Sequence, residues 1–406
     1  MSTTMTRPAP GRTVPYILAA CTAVSILSTD LITPSIPDLP DAFGTSITAA
    51  QLTVSINLAA YALAQLVHGP VADAIGRRRL LLGAFVAFAL TSAASALAPD
   101  IGWLLSGRFM QGLFSSVPSV VIVLMIRELY GPSRALAVMA IYGAALGMAP
   151  AVGPLIGGYL HVWFGWQAGF WFVAALALLV AAALWHQVPE SLSVSHRLHL
   201  RGTLRGYGAL LSNRRFLQPA VGVSLIFAAL YAYVTTAPVV FIDLIGLPTE
   251  RYGLTNLAVV AAFVAGNAIA SRLGRRVTAA RLLRLGALVT LAASVLLVLP
   301  LAAGQLGVVT MLVPVGLYAG SLALVLAAGP LEVLGVVADA PQGPAAALLG
   351  SLQLGLSAAA GYLSAQFYDG TALPMALVMA LCVGLGAALI LVAPLSGAAR
   401  GSGRAG

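Results

Sequence analysis

Lysine is missing from this 406-residue sequence, so all 21 basic residues are arginine. Acidic residues are scarce too, 12 in all, and charged side chains make up only 8% of the chain. Cysteine occurs twice, at Cys21 and Cys382, each inside an apolar run. Two such cysteines exclude a disulfide framework and fit small core residues. So little charge, with 60% hydrophobic residues and a mean hydropathy of +0.97, excludes a soluble domain of this length. The net charge of +9 would suit a nucleic-acid binder only if the arginines clustered on a soluble face, and here they sit in short gaps between apolar runs. No HExxH, GxSxG, Walker-type or carboxylate-rich metal pattern occurs, so no enzyme chemistry, cofactor or metal is indicated. No repeated charge ring marks a channel filter.

What the sequence does contain is a series of apolar runs of about 20 residues, the length that crosses a bilayer. Spans are expected at 14–36, 49–71, 80–98, 101–125, 135–159 and 166–187, then at 217–242, 252–271, 281–302, 306–328, 344–366 and 372–393. The run after the polar first 13 residues is too long for a signal-peptide core and is expected to be retained. With both termini in the cytoplasm, every arginine except Arg108 and Arg251 falls in a cytoplasmic segment, the pattern of the positive-inside rule. The expected fold is an all-α polytopic membrane protein of twelve transmembrane helices in two six-helix bundles, residues 1–187 and 216–395. Residues 188–215 carry His196, Arg197, His199, Arg201, Arg205, Arg214 and Arg215 and read as a cytoplasmic linker lying against anionic lipid. The Gly/Ala/Arg-rich tail, 396–406, is expected to be disordered and cytoplasmic.

The two halves echo one another. Residues 69–79 read GPVADAIGRRR and residues 267–276 read NAIASRLGRR, with Gly76 matching Gly274, Arg77 matching Arg275 and Ser271 replacing Asp73. Gly69 permits close helix approach, Asp73 can pair with Arg77 or cap a neighbouring helix, and Gly76 makes a tight turn. A basic turn alone accounts for Arg77, Arg78 and Arg79 but not for the Gly–Asp–Gly spacing, which suits a gating latch. In the fourth span, residues 108–112 read RFMQG. Counted from Ile101, Arg108 lies ~10 Å deep, a strained distance for snorkelling. Asp30 lies ~9 Å inside the end of the first span, and Asn57 is at similar depth, with Tyr61 and Gln111 one turn further. Burial favours the neutral form of a carboxyl and a nearby Arg the charged form, so Asp30 with Arg108 fits a proton carrier; a permanent structural ion pair is the alternative. Asn57, Tyr61, Gln111, Phe227 and Tyr231, with Tyr233, are candidates for a substrate site. In the fifth span, residues 143–158 read GAALGMAPAVGPLIGG, whose small residues permit close packing and whose Pro154 permits a kink. His68 fits a packed imidazole, His161 an outer loop, and Asp243 and Glu332 solvated positions at span ends.

These stretches resemble the major facilitator superfamily: the 69–79 loop its signature between spans 2 and 3, RFMQG its span-4 RxxQG motif, and Gly153, Pro154, Gly157 and Gly158 the GxxxGPxxGG motif of its exporters, with Ala149 at the first position. Residues 29–40, TDLITPSIPDLP, and 345–353, AAALLGSLQ, resemble the Bcr/CflA and MdfA-like branch of twelve-span drug:proton antiporters. MdfA-like members carry a second acid two turns before Asp30, where this chain has Thr22 or a neighbour and no acid. The resemblance covers essentially the whole chain. It implies two pseudo-symmetric bundles with a substrate site between them near the midplane, a location in the inner (cytoplasmic) membrane, and a monomer that is not an enzyme. It also implies antiport: a small lipophilic drug or antibiotic out, a proton in, with coupling at Asp30 and Arg108 and gating at Gly69, Asp73, Gly76, Arg77, Arg78, Gly153, Pro154, Gly157 and Gly158. The alternative is a proton-coupled uptake symporter for a nutrient. Such sites usually need polar groups in both halves, and the second half here is nearly free of charge within its spans.

Overall fold

The structure, a computed structural model, describes residues 11–192, 200–337, 342–393 and 395. Arg7, His196, Arg197, His199 and the expected tail with Arg400 and Arg404 lie outside the described residues. The described chain is helical throughout, and 12 of its helices are long and apolar enough to cross a bilayer. In the first half they are span 1 (Val14–Phe43), span 2 (Ile47–Ile75), span 3 (Arg77–Ala96), span 4 (Ile101–Gly131), span 5 (Ala137–Phe164) and span 6 (Gln167–Gln187). In the second half they are span 7 (Arg214–Leu244), span 8 (Thr249–Leu273), span 9 (Ala279–Ala302), span 10 (Val308–Gly335), span 11 (Gln342–Gln366) and span 12 (Leu373–Val392). The ends of these helices follow from local chemistry. Ser46, Asp100, Asn213 and Thr278 each accept a backbone N–H at the start of spans 2, 4, 7 and 9. Span 1 is α-helical from Val14 to Asp30 and again over Leu39–Phe43. Between the two it tightens into a 3₁₀ segment, Thr33–Asp38, because Pro34 and Pro37 cannot supply helix donors.

Each half has its own apolar core. Leu18, Phe85, Ile122 and Val173 belong to the first, and Phe216, Val223, Tyr318 and Met379 to the second. A third cluster joins the halves: Ile32, Ile36, Leu39 and Val54 from the first pack with Val239 and Ala358 from the second. It lies at the end of the bundle opposite the chain's termini, called here the far end; the other, where the linker and most of the arginines lie, is the basic end. Spans 2 and 11 stay together along their length, from Thr48 Oγ1, which donates to Ala365 O (3.3 Å), to Ser351 Oγ, which donates to Ala62 O (2.8 Å). Spans 5 and 8 meet at the far end, where Gly158 faces Thr249 and Glu250, and Gly253 faces Leu155. Nearer the basic end, Gly143 and Gly147 of span 5 face open space. The far end is therefore sealed.

Two expectations need correction. Glu332 is not in a solvated loop: span 10 runs on to Gly335 and buries it. His161 is not in a loop either but in the last turn of span 5, where Nε2 meets the Asp38 carboxylate. The described part of the linker forms a helix, Leu200–Ser212, with Tyr207 and Leu210 buried against protein, Tyr207 Oη donating to Leu66 O (2.9 Å), and Leu204 and Leu211 exposed.

Candidate substrate and coupling site

Arg108 has no exposed surface, although it is among the largest side chains in the chain. A guanidinium so placed must have its donors met by acceptors. Nε donates to Thr53 O (3.0 Å), and Nη1 donates to Ser28 O (3.1 Å) and to Gln111 Oε1 (2.9 Å). Gln111 in turn donates from Nε2 to Ser92 Oγ (2.7 Å). Asn57 donates from Nδ2 to Arg108 O (2.9 Å) and accepts from Thr29 Oγ1 (3.1 Å). Gly112 completes the cage: an added Cβ there would run into the backbone of Asn57, so spans 2 and 4 touch at this glycine. Spans 1 to 4 are thus tied through one buried polar cluster.

Asn57 and Gln111 are fully buried, and their amides are occupied by this cage. The sequence did not single out Thr29, Ser28, Thr53 and Ser92, which hold it; among the described residues the only unpartnered nitrogen of Arg108 is Nη2.

Asp30 sits beside this cage, 7% exposed. Among the described residues, its carboxylate makes no hydrogen bond, and no carboxylate lies within ion-pair distance of Arg108. The two are still close enough to interact electrostatically, as are Asp30 and the phenols of Tyr231 and Tyr252 from the second half. Tyr231 stacks edge-on against Phe227, with ring centroids 5.8 Å apart, and both are partly exposed, as is Tyr61. Tyr233 is not on this wall. Two residues on from Tyr231, it points the opposite way and is fully buried in the second core.

The small residues of span 5 pack directly on this site. A Cβ on Gly153 would lie 3.0 Å from Asp30 Cβ, and one on Gly157 would strike the Leu31 carbonyl. Gly158 faces the other way, and its Cβ would come 2.9 Å from Thr249 O and 3.3 Å from Glu250 Cα of span 8. One short stretch therefore touches the carboxylate-bearing turn on one side and the far-end seal on the other. Pro154 lies within it without interrupting the helix.

At the basic end, Gly76 adopts φ 98° and ψ 143°, a left-side conformation that only glycine tolerates cheaply. Arg77 Nη2 reaches Asp73 Oδ1 (3.2 Å) and Glu128 Oε1 (2.8 Å). Glu190, just past span 6, accepts from the backbone N–H groups of Arg77 (3.0 Å), Arg78 (3.2 Å), Ser191 (3.0 Å) and Leu192 (3.1 Å). Gly69 faces Val120 of span 4. All these contacts lie within the first half and the start of the linker, and none of them reaches the second half. Glu128 and Glu190 are far from the motif in the chain; the available signal was an acid at the basic end of span 4 and another just past the basic end of span 6. His68 Nδ1 is bonded to Ser116 Oγ (2.9 Å), as a packed imidazole would be.

The comparisons with known proteins agree with this architecture. Residues 18–334 match the profile of the Major Facilitator Superfamily. The chain belongs to that superfamily. As a major facilitator it is a multi-pass membrane transporter of small molecules and not an enzyme. It is 27% identical over 364 residues to a bicyclomycin resistance protein homolog from Haemophilus influenzae, covering 87% of this chain and 89% of the relative. It is 30% identical over 260 residues to the multidrug resistance protein MdtM of Salmonella typhimurium, covering 64% of this chain and 63% of that one. The solved structure of the peptide transporter POT has the same fold, with a TM-score of 0.76 at 14% identity, covering 95% of this chain and 96% of that one.

Proposed function

We propose that this major facilitator is a proton-coupled antiporter that exports lipophilic drugs or antibiotics; the names of its resistance-protein relatives support drugs as the cargo. The observation that carries the reading is the seat of the span-5 glycines, on Asp30 and Leu31 on one side and on span 8 on the other. Opening the far end has to move Gly158 off Thr249, and the same stretch of helix presses on Asp30. The protonation state of the carboxyl and the seal are thus mechanically linked.

The basic end is read as cytoplasmic and the membrane as the inner membrane, with both termini inside and the protein a monomer. Substrate enters from the basic end and meets Tyr61, Phe227 and Tyr231 beside Asp30. A buried carboxyl without a partner is tolerable neutral and costly charged, so the sealed state holds Asp30 protonated. Arg108 keeps Nη2 free to receive the carboxylate once the proton leaves. Asn57 and Gln111 act by fixing Arg108 rather than by touching substrate. Asp73, Gly76, Arg77 and Arg78 form the hinge that holds spans 2 and 3 together as the halves rock.

The test is drug-dependent collapse of an imposed pH gradient in everted vesicles, screened over antibiotics and dyes. The proposal expects at least one compound to release the gradient in the wild type. Failure of every compound, together with accumulation of a labelled nutrient by intact cells, would overturn it.

A further inference from the structure

On the outer surface of the first half, spans 3 and 6 diverge and leave an apolar groove of about 580 Å³. Gly83, Val86 and Leu90 line one wall, and Leu178, Ala182 and Trp185 the other. A Cβ on Gly83 would meet nothing within 4 Å, so the groove is open space and not a packed seam. From Leu82 to Leu90 it runs for ~12 Å along the helix, close to the ~15 Å of hydrocarbon in one leaflet.

Arginines stand at the groove's basic end, Arg78 against its Trp185 and Arg79 next to Arg78 in the chain. Trp185 closes that end, and Arg78 lays its guanidinium 5.5 Å from that ring's centroid while donating from Nη2 to Trp185 O (2.5 Å). Arg79 is exposed and lies one turn before Gly83, on the groove side of span 3. It has no ion pair among the described residues. Arg12 is the chain neighbour of Thr13, whose Oγ1 donates to Gln187 Oε1 (2.5 Å) at the end of span 6. The Glu190 carboxylate is held by backbone N–H groups and forms no ion pair with an arginine side chain among the described residues. Apolar space one leaflet deep, headed by unpaired cations at the level of the phosphates, has the shape and charge of an anionic lipid's surroundings.

We propose that this groove is a binding site for an anionic phospholipid, with an acyl chain between spans 3 and 6 and the phosphate at Arg79, supported by Arg12 and Arg78. A second copy of the chain would need a complementary partner for the arginines, which the groove's surroundings do not offer.

Trp185 makes the site measurable. The full-length protein is reconstituted with dibrominated phosphatidylglycerol or dibrominated phosphatidylcholine, and the quenching assigned to Trp185 is taken as the difference from a Trp185→Phe variant. Quenching is expected to favour phosphatidylglycerol, and Arg79→Gln to reduce that preference roughly fivefold. Half-molar salt should weaken it as well. Gly83→Leu, which places a side chain in open space, should reduce quenching by both lipids. Equal quenching by the two lipids in the wild type would overturn the proposal, as would a preference unchanged by Arg79→Gln with Arg12→Gln. A detergent-purified dimer that Gly83→Leu dissolves would also overturn it, making the groove a contact between copies.

Discussion

Gly157 and Gly158 are neighbours in span 5, yet replacing them should have different consequences. A methyl on Gly158 would meet Thr249 O at 2.9 Å and Glu250 Cα at 3.3 Å, both backbone atoms of the other half that cannot turn aside. Overpacking of this kind costs about 1–3 kcal/mol. The cost falls only on the sealed state, because the contact exists only while the far end is closed. Gly158→Ala should therefore shift the equilibrium towards a far-end-open state about 5- to 150-fold. Gly157→Ala presses instead on the Leu31 backbone within its own half. It should lower stability by about 1–3 kcal/mol with little effect on the equilibrium between states. Gly143→Ala, in open space, is the control. Spin labels on Val162→Cys and Arg251→Cys, at the far ends of spans 5 and 8, report the separation, and Cys21 and Cys382 are buried and need not be removed. Long distances should gain population in Gly158→Ala alone. An unchanged distribution in that variant, or an equal shift in Gly143→Ala, would refute the reasoning.

Other consequences follow from the same contacts. Arg108→Lys cannot reach Thr53 O, Ser28 O and Gln111 together, and each buried acceptor left bare costs about 1–3 kcal/mol; thermal unfolding should come earlier and transport should be lost. Glu190→Gln weakens a carboxylate cap on several backbone N–H groups and should destabilise the first half by about 0.5–2 kcal/mol, measured by denaturant melts in detergent. Phe227→Ala should reduce binding of aromatic drugs, measured by equilibrium dialysis, while Tyr233→Phe, in the second core, should leave it unchanged.

Most of the fold was legible because hydropathy is read over whole spans, and a 20-residue average tolerates local error. The alternation of arginine-rich and arginine-poor gaps then fixed the number of spans. Depth counting also drew attention to Asp30, Asn57 and Arg108 together, since helices of like tilt keep equal rise per residue. What it could not give was the direction in which a side chain points. Asn57 and Gln111 turn into the Arg108 cage, while the Asp30 carboxylate makes no hydrogen bond within it and Asp30 Cβ packs against Gly153. That choice depends on helix rotation, which spacing along one helix does not determine. Tyr233 was within reach of the sequence, because two residues on a helix lie about 200° apart and cannot both share Tyr231's wall. Glu332 reads in sequence as lying past a helix end because of the glycine and proline at positions 329 and 330, which span 10 absorbs.

The central claim is that Asp30 carries the proton that substrate displaces. The direct measurement is proton release on adding a transported drug to the purified protein in weakly buffered detergent, with Asp30→Asn beside it. The account predicts release from the wild type, and drug binding without release from the variant. Release of equal size from Asp30→Asn would contradict it and move the proton to another group.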